Sequence, residues 1–110
     1  MKLPSADRAV VSKTKLTDYL LSEKHPVGRS KAIILKRFGY TSEQWQRLAE
    51  DVIHIAKNNE VTTTEESPFG LRYVIDGVLP TPSGKDLPIR TVWFIDNDEQ
   101  IAHFVTAYPR

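Results

Sequence analysis

The sequence predicts an α+β fold, with about three N-terminal helices followed by a four-stranded antiparallel sheet arranged as a meander. Two changes along the chain indicate this. Apolar residues recur with helical spacing up to residue 58, and from residue 61 the period changes to two. The connections between the later segments are short, which favours antiparallel neighbours over parallel crossovers. With 110 residues, 40% of them hydrophobic, the chain is expected to form a single domain over residues 1–110.

Helical periodicity predicts three helices, over residues 13–21, 29–38 and about 42–58. Ser12 is a suitable N-cap for the first helix. The second has a nearly continuous apolar run, which indicates burial, and Gly39 is a natural end because glycine readily takes the left-handed conformation. Thr41 and Gln44 form a capping-box pattern before the third helix, and Asn58-Asn59 ends it.

Alternating apolar residues predict four strands, at Val61–Glu66, Leu71–Leu79, Leu87–Asp96 and Ile101–Tyr108. The third predicted strand carries apolar residues on both alternating sets, which indicates a central strand covered on both faces. Helices followed by a meander should pack on one face of the sheet and leave the other partly open. That open face is a favourable place for a functional site.

Composition excludes several classes of protein. The chain has no cysteine, so it has neither a disulfide framework nor thiolate chemistry. No apolar run reaches the roughly 20 residues of a membrane helix, and the first residues lack the apolar segment of a secretion signal. Its three histidines, His25, His54 and His103, do not have metal-ligand spacing. The expectation is a cytoplasmic protein with no membrane association, no metal and no cofactor.

The net charge of +1 conceals an uneven distribution. Up to Arg37 there are nine basic and three acidic residues, a net charge of +6. The remainder has six basic and eleven acidic residues, a net charge of −5. A basic helical region beside an acidic remainder is suited to facing a polyanion such as RNA. Ordinary solvated helix surfaces would produce the same counts.

The first candidate cluster is His25-Pro26-x-Gly28-Arg29-x-Lys31. Proline and glycine shape the loop that carries His25, and Arg29 and Lys31 fall at the start of the second helix. Cations there oppose the helix dipole, and a bound anion would remove this conflict. Histidine can transfer protons near neutral pH. The alternative is a loop histidine beside solvated helix cations.

The second candidate cluster lies on the predicted sheet. Arg90 and Thr91 are on the third strand, and Thr106 and Tyr108 lie two residues apart on the fourth. An arginine beside hydroxyl groups can offset the negative charge that develops on phosphorus during phosphodiester cleavage. The alternative is that these residues pack the sheet and cover its edge.

Four ordered segments resemble a bacterial domain-of-unknown-function family, number 6883. These segments are Lys2–Val11, His25–Ala32, Arg90–Ile95 and Val105–Pro109. The resemblance extends over almost the whole chain. Members of that family occur as small proteins and as C-terminal modules of larger, toxin-like proteins. The resemblance therefore implies an effector role as an expectation.

A looser likeness links the chain to the barnase–EndoU–colicin–RelE superfamily of metal-independent ribonucleases. That superfamily places helices before a four-stranded antiparallel sheet, with catalytic groups on the sheet and a preceding helix. The likeness implies a site drawn from both candidate clusters, namely His25, Arg29, Lys31, Arg90, Thr106 and Tyr108.

Two functional hypotheses remain open from the sequence. The first is a metal-independent RNA endonuclease acting as a toxin-like effector. In it His25 transfers protons, Lys31 and Arg90 stabilise the phosphate, and Tyr108 supports them. Substrate contacts come from a further set of residues, Arg29, Thr91 and Thr106. The second is a non-catalytic module that binds a protein, such as a cognate inhibitor, or RNA. A third alternative is that the motifs only maintain packing.

Overall fold

The computed structural model describes residues 1–110 and confirms the α+β order of helices before sheet. A 3-10 turn, Ala6–Arg8, precedes three helical segments and four strands. The helices are α1 (Lys13–Lys15, continued by a π-helical turn over Leu16–Leu20), α2 (Arg29–Arg37) and α3 (Trp45–Asn58), and the strands are β1 (Thr63–Ser67), β2 (Gly70–Pro80), β3 (Asp86–Asp96) and β4 (His103–Pro109). None of the helices has the length and apolar character required to cross a membrane.

Local hydrogen bonds set the helix ends. The Ser12 side chain caps α1 by accepting a hydrogen bond from the Lys15 amide at 3.3 Å. Gly39 follows α2 with a φ of 100°, in the left-handed region that favours glycine. Thr41 accepts a hydrogen bond from the Gln44 amide at 3.2 Å. Residues 42–44 form a turn, however, so α3 begins at Trp45, later than the capping-box pattern predicts.

The four strands form one antiparallel sheet in the order β1-β2-β3-β4, which confirms the meander. α3 packs against β2 on one face, called here the core face. Trp93 of β3 is fully buried there and meets Phe104 of β4 edge to face, with ring centroids 5.3 Å apart. Leu48, Val52 and Ile55 of α3 belong to the same buried cluster. One contiguous core therefore joins the helices to the sheet.

The opposite face, called here the solvent face, carries the even-numbered residues of β2 and β3. Arg72 and Arg90 lie on it, together with Asp76 opposite Arg90. Val92 is also on this face and is completely buried between its neighbours. The third strand is thus central, as predicted, but its solvent face is fully buried only at Val92, because Arg90 and Phe94 on either side are half-buried.

The β4 edge is partly covered by the N-terminal segment. Val10 forms a parallel bridge with His103. Its amide donates to the Ala102 carbonyl and its carbonyl accepts from the Phe104 amide, both at 2.9 Å. Farther along β4 the edge meets the turn and loop that follow α1. This arrangement places residues from the first 30 positions beside the last strand.

Candidate functional site

A cleft of about 430 Å³ lies where the segment after α1 meets the β4 edge and the solvent face. Its walls combine cations, a tyrosine, a histidine and a threonine. The lining residues are Lys15, Tyr19, His25, Val27, Arg72, Val105 and Thr106. No acidic residue is among them, and Lys15 is exposed to solvent. The cleft therefore has the electrostatic character of an anion-binding site.

Tyr19 connects the three elements that surround the cleft. It lies in the π-helical turn, where Leu16 and Leu20 are fully buried in the core and fix the turn in place. The Tyr19 hydroxyl is 3.0 Å from the Thr106 hydroxyl of β4. It also accepts a hydrogen bond of 2.6 Å from the Lys31 ammonium of α2. One phenol oxygen thus joins the turn, α2 and the sheet.

The surroundings of Tyr19 alter its acidity. Partial burial opposes ionisation, but hydrogen bonds from Lys31 and Thr106 favour the phenolate. The positive charges of Lys31 and Lys15 act in the same direction, and together these effects lower the pKa of Tyr19. The Lys31 nitrogen also lies 5.1 Å from the centroid of the Tyr19 ring. Tyr19 is therefore a phenol whose ionised form is stabilised within the cleft.

His25 packs edge-to-face on Tyr19, with ring centroids 4.9 Å apart and planes at 79°. Its Nδ1 accepts hydrogen bonds from the amides of Val27 and Gly28, both at 3.0 Å. Because Nδ1 accepts both hydrogen bonds, it carries no proton, and the N–H of the ring is on Nε2. His25 consequently offers an N–H donor to the cleft. The amides of Val27 and Gly28, just before α2, are therefore engaged by this ring and are not free to bind an anion.

Gly28 allows the loop to approach Tyr19 closely. A Cβ atom at this position would lie 2.1 Å from the Tyr19 carbonyl oxygen and 2.8 Å from its carbonyl carbon. Both neighbours are backbone atoms, which do not move aside as a flexible side chain would. The glycine is therefore required by close packing between the loop and the turn.

A β-bulge orients Thr106. Trp93 pairs with Phe104 and Val92 pairs with Thr106, so Val105 is an extra residue in β4. Phe104 and Ala107 consequently both face the core, although they are three residues apart. The bulge shifts the alternation and turns Thr106 towards the solvent face, and Val105 itself lines the cleft. Bulges often redirect side chains in this way beside functional sites.

Arg90 and Tyr108 lie farther along the solvent face. They are cross-strand partners, and Tyr108 is two residues beyond Thr106 on the same face. Asp76 accepts two hydrogen bonds from Arg90, from Nε at 2.8 Å and from Nη2 at 3.0 Å. This pair holds the Asp76 pKa below its usual range. Tyr108 is 36% exposed. Neither Arg90 nor Tyr108 lines the cleft.

The two remaining candidates lie apart from the cleft. Arg29 is exposed in the first turn of α2 and does not line it. Thr91 is completely buried on the core face. Its hydroxyl donates to the Ile75 carbonyl at 2.8 Å and accepts from the Trp93 indole at 2.9 Å. Thr91 thus acts in the core, where a substrate has no access.

Of the predicted site residues, His25 and Thr106 line the cleft. Lys31 does not line it but is joined to it by its hydrogen bond to the Tyr19 hydroxyl. Three of its members were missed by sequence reasoning: Lys15, Tyr19 and Arg72. In the sequence, Leu16, Tyr19 and Leu20 have the i, i+3, i+4 spacing of an apolar helix face, which gives no indication of a functional hydroxyl. The half-buried Tyr19 ring does pack against the core, but its hydroxyl reaches Thr106, and no local signal in the sequence marks that contact. Arg72 lies in a predicted strand without a neighbouring polar motif.

The family model described as Domain of unknown function (DUF6883) matches residues 2–110. No curated protein matches the chain. Among solved structures, the chain is similar to one in a contact-dependent growth inhibition toxin–immunity protein complex from Klebsiella pneumoniae 342. The two share 22% identity over 93% of this chain and 100% of the other, with a TM-score of 0.73. At that identity the similarity establishes a common fold.

Proposed function

The chain belongs to the DUF6883 family, and we propose that it is a metal-independent RNA endonuclease of a toxin system. The observation that carries the proposal is the cation-lined cleft around Tyr19, His25 and Thr106. Side chains that are far apart in the sequence surround this cleft, and no carboxylate lines it that would repel a bound anion. Such a site is suited to a phosphodiester, whose charge increases in the transition state.

Each part of the cleft has a role in this proposal. Lys15 and Arg72 line the hollow and hold the phosphate through charge-assisted hydrogen bonds. Lys31, whose ammonium donates a hydrogen bond to the Tyr19 hydroxyl, adds a third positive charge. Thr106 donates or accepts a hydrogen bond at the sheet edge. In this arrangement the protein's own cations stabilise the phosphorane.

His25 binds the substrate through Nε2–H. Its Nδ1 is occupied by two backbone amides, so the ring is held as a hydrogen-bond donor aimed at a phosphate oxygen. This differs from the proton-transfer role that the sequence suggested, because a base would need a free lone pair on Nε2. The role of His25 is therefore orientation and charge stabilisation.

Arg90 and Tyr108, farther along the solvent face, contact adjoining parts of the RNA, and Arg29 meets it at the exposed start of α2, apart from the cleft. Arg90 uses its Nε–Nη2 edge for Asp76, and the neighbouring Tyr108 side chain is a further partner of its guanidinium. Tyr108 lies beside it with an exposed ring that a base can stack on. A strand of RNA entering the cleft along the solvent face would pass Arg90 and Tyr108.

The structural comparison supports a place in a toxin system. The similar solved chain comes from a complex of a contact-dependent growth inhibition toxin and its immunity protein. A protein of that fold acting on RNA would need a cognate inhibitor in the cell that makes it. We therefore include such an inhibitor as a partner in the proposal.

A second candidate function, a non-catalytic binding module, is favoured by the β1 edge. β1 pairs only with β2, and all five of its residues are exposed. Its outer backbone groups can accept a strand from a partner protein. Glu65 and Glu66 on this strand would favour a basic partner. In this alternative the cleft binds an anion without cleaving it.

Incubation of the purified protein with total RNA in EDTA tests the proposal. We expect cleavage with 2′,3′-cyclic phosphate ends, and loss of cleavage in a Lys15→Gln/Arg72→Gln double variant. A Lys57→Gln/Arg37→Gln variant is the control, since it removes two cations outside the cleft. Intact RNA after incubation with the wild-type protein would overturn the enzyme assignment. RNA binding retained without cleavage would favour the module.

A further inference from the structure

Cleavage of RNA by its own 2′-hydroxyl requires an acid for the leaving oxygen, and this need is not met by the groups assigned above. Lys15 and Arg72 hold charge, and the Nδ1 of His25 accepts hydrogen bonds from two amides, which leaves Nε2–H as the donor that this ring can offer. Loss of the remaining ring proton would give an imidazolate, which is a poor acid–base partner. Among the proton donors of the cleft, the Tyr19 hydroxyl is the one held by a cation that stabilises its conjugate base.

We propose that Tyr19 is the general acid of this site, an inference that rests on the proposed ribonuclease function. Its side chain lines the cleft, and its hydroxyl lies between Lys31 at 2.6 Å and Thr106 at 3.0 Å. The Lys31 nitrogen donates to the phenol oxygen, so the phenol's own proton is directed towards Thr106 or towards a ligand. A substrate oxygen that replaces Thr106 as acceptor would receive that proton.

The bonds and protons of this step balance. The 2′-oxygen forms a bond to phosphorus while the bond from phosphorus to the 5′-oxygen breaks. The 2′-hydroxyl proton passes to water, and Tyr19 gives its proton to the departing 5′-oxygen. The products are a 2′,3′-cyclic phosphate and a 5′-hydroxyl, and the Tyr19 phenolate later regains a proton from water. No oxidant, reductant or further reactant takes part.

Lys31 makes this transfer favourable because its contact strengthens as the proton leaves. An ammonium that donates to a neutral phenol becomes the partner of a full negative charge once the phenolate forms. Stabilisation that increases during the reaction lowers the barrier, whereas equal stabilisation of both states does not. Burial of the ring works against ionisation, and the hydrogen bonds and charges of the cleft outweigh it. Lys31 is thus a positioning and charge-stabilising residue for Tyr19.

The test uses a substrate that does not need an acid. An RNA linkage cleaved by the wild type is prepared in two forms, with the normal 5′-oxygen or with sulfur in its place, because a thiolate leaves without protonation. We expect Tyr19→Phe to lower kcat on the oxygen linkage by about 10²–10⁴-fold. On the sulfur linkage the same variant should cleave at close to the wild-type rate.

The matched control is Tyr73→Phe, which removes one phenolic hydroxyl from the core face of β2 and leaves the cleft intact. It should cleave both linkages as the wild type does. Equal losses in Tyr19→Phe on both linkages, or no loss on either, would overturn the general-acid assignment while leaving the ribonuclease in place. A wild-type protein that cleaves neither linkage would overturn the proposed function itself.

Discussion

The ammonium nitrogen of Lys31 lies 2.6 Å from the hydroxyl oxygen of Tyr19, and this contact joins α2 to the π-helical turn that lines the cleft. Burial acts against ionisation of Tyr19, and Lys31 supplies the strongest of the effects that oppose burial. The pair therefore determines whether the cleft contains an acidic phenol. Its consequences can be measured separately from any activity.

Replacement Lys31→Met should raise the pKa of Tyr19, because burial would no longer be opposed by the hydrogen bond and charge of the ammonium. Ultraviolet absorbance of the phenolate measures this change during an alkaline titration. The titration of the wild type minus that of Tyr19→Phe isolates the Tyr19 ring. The titration of Lys31→Met minus that of Lys31→Met/Tyr19→Phe isolates the same ring without the ammonium.

RNA cleavage by Lys31→Met should also fall, on the order of 10²-fold, because the forming phenolate loses its cation. Lys36→Met on the same helix is the control, since its nitrogen contacts Glu23 rather than the cleft. An unchanged Tyr19 titration in Lys31→Met would contradict the expectation.

Replacement Gly28→Ala should separate the His25 loop from Tyr19, because the new methyl group would lie 2.1 Å from the Tyr19 carbonyl oxygen. Overpacking of this kind costs about 1–3 kcal/mol of unfolding free energy. Urea denaturation measures the loss, and RNA cleavage should fall with it. Ser30→Ala, at an exposed position in the next turn, is the control. Wild-type stability in Gly28→Ala would show that the close approach is not required.

Tyr40 should make the protein sensitive to alkali. It is 1% exposed, and its hydroxyl donates to Asp51 at 2.6 Å. Burial and this carboxylate raise the pKa of Tyr40. Above a pH of about 10 the unfolded chain ionises while the folded one stays protonated, so stability falls by up to about 1.4 kcal/mol per pH unit.

Denaturant unfolding at several alkaline pH values checks this expectation. Tyr40→Phe should be less stable at pH 7 by about 1–2 kcal/mol because Asp51 loses a partner. The same variant should also lose less stability between about pH 10 and 11 than the wild type does. Tyr108→Phe, at an exposed ring, is the control. Parallel alkaline slopes in the wild type and Tyr40→Phe would count against this role.

Asp76 should stabilise the fold above acidic pH. Hydrogen bonds from Arg90 lower the pKa of Asp76 against the opposing effect of burial. The unfolded carboxyl takes up a proton near pH 4 and the folded one only at lower pH, so this stability is present above that range and is lost as pH falls.

Replacement Asp76→Asn should therefore lower the denaturation midpoint at pH 7 and flatten the decline in stability between about pH 5 and 2. Denaturant unfolding across this range measures both effects. Asp86→Asn, exposed at the start of β3, is the control. An equal effect in the two variants would exclude a specific role for the ion pair with Arg90.

The sequence was sufficient for the order and type of the main elements, since each long segment repeats its apolar residues with one clear period. The end of α2 at Gly39 and the central position of β3 were also visible, because a glycine stop and two apolar faces are local features. The start of α3 was less accurate. Thr41 makes its capping hydrogen bond, but a turn intervenes before Trp45.

Most of the cleft depended on tertiary structure. Tyr19 and Thr106 are 87 positions apart, and their contact arises only when the π-helical turn packs on the β4 edge. The bulge at Val105 turns Thr106 to the solvent face, and because Val105 is itself apolar, the position of this shift in the alternation is not evident from the sequence. By itself the sequence determined which segments would be helix and strand, because that choice follows from local periodicity. Only the tertiary structure decided which cations remain free and which are paired, because charge pairing depends on distances between segments that are remote along the chain.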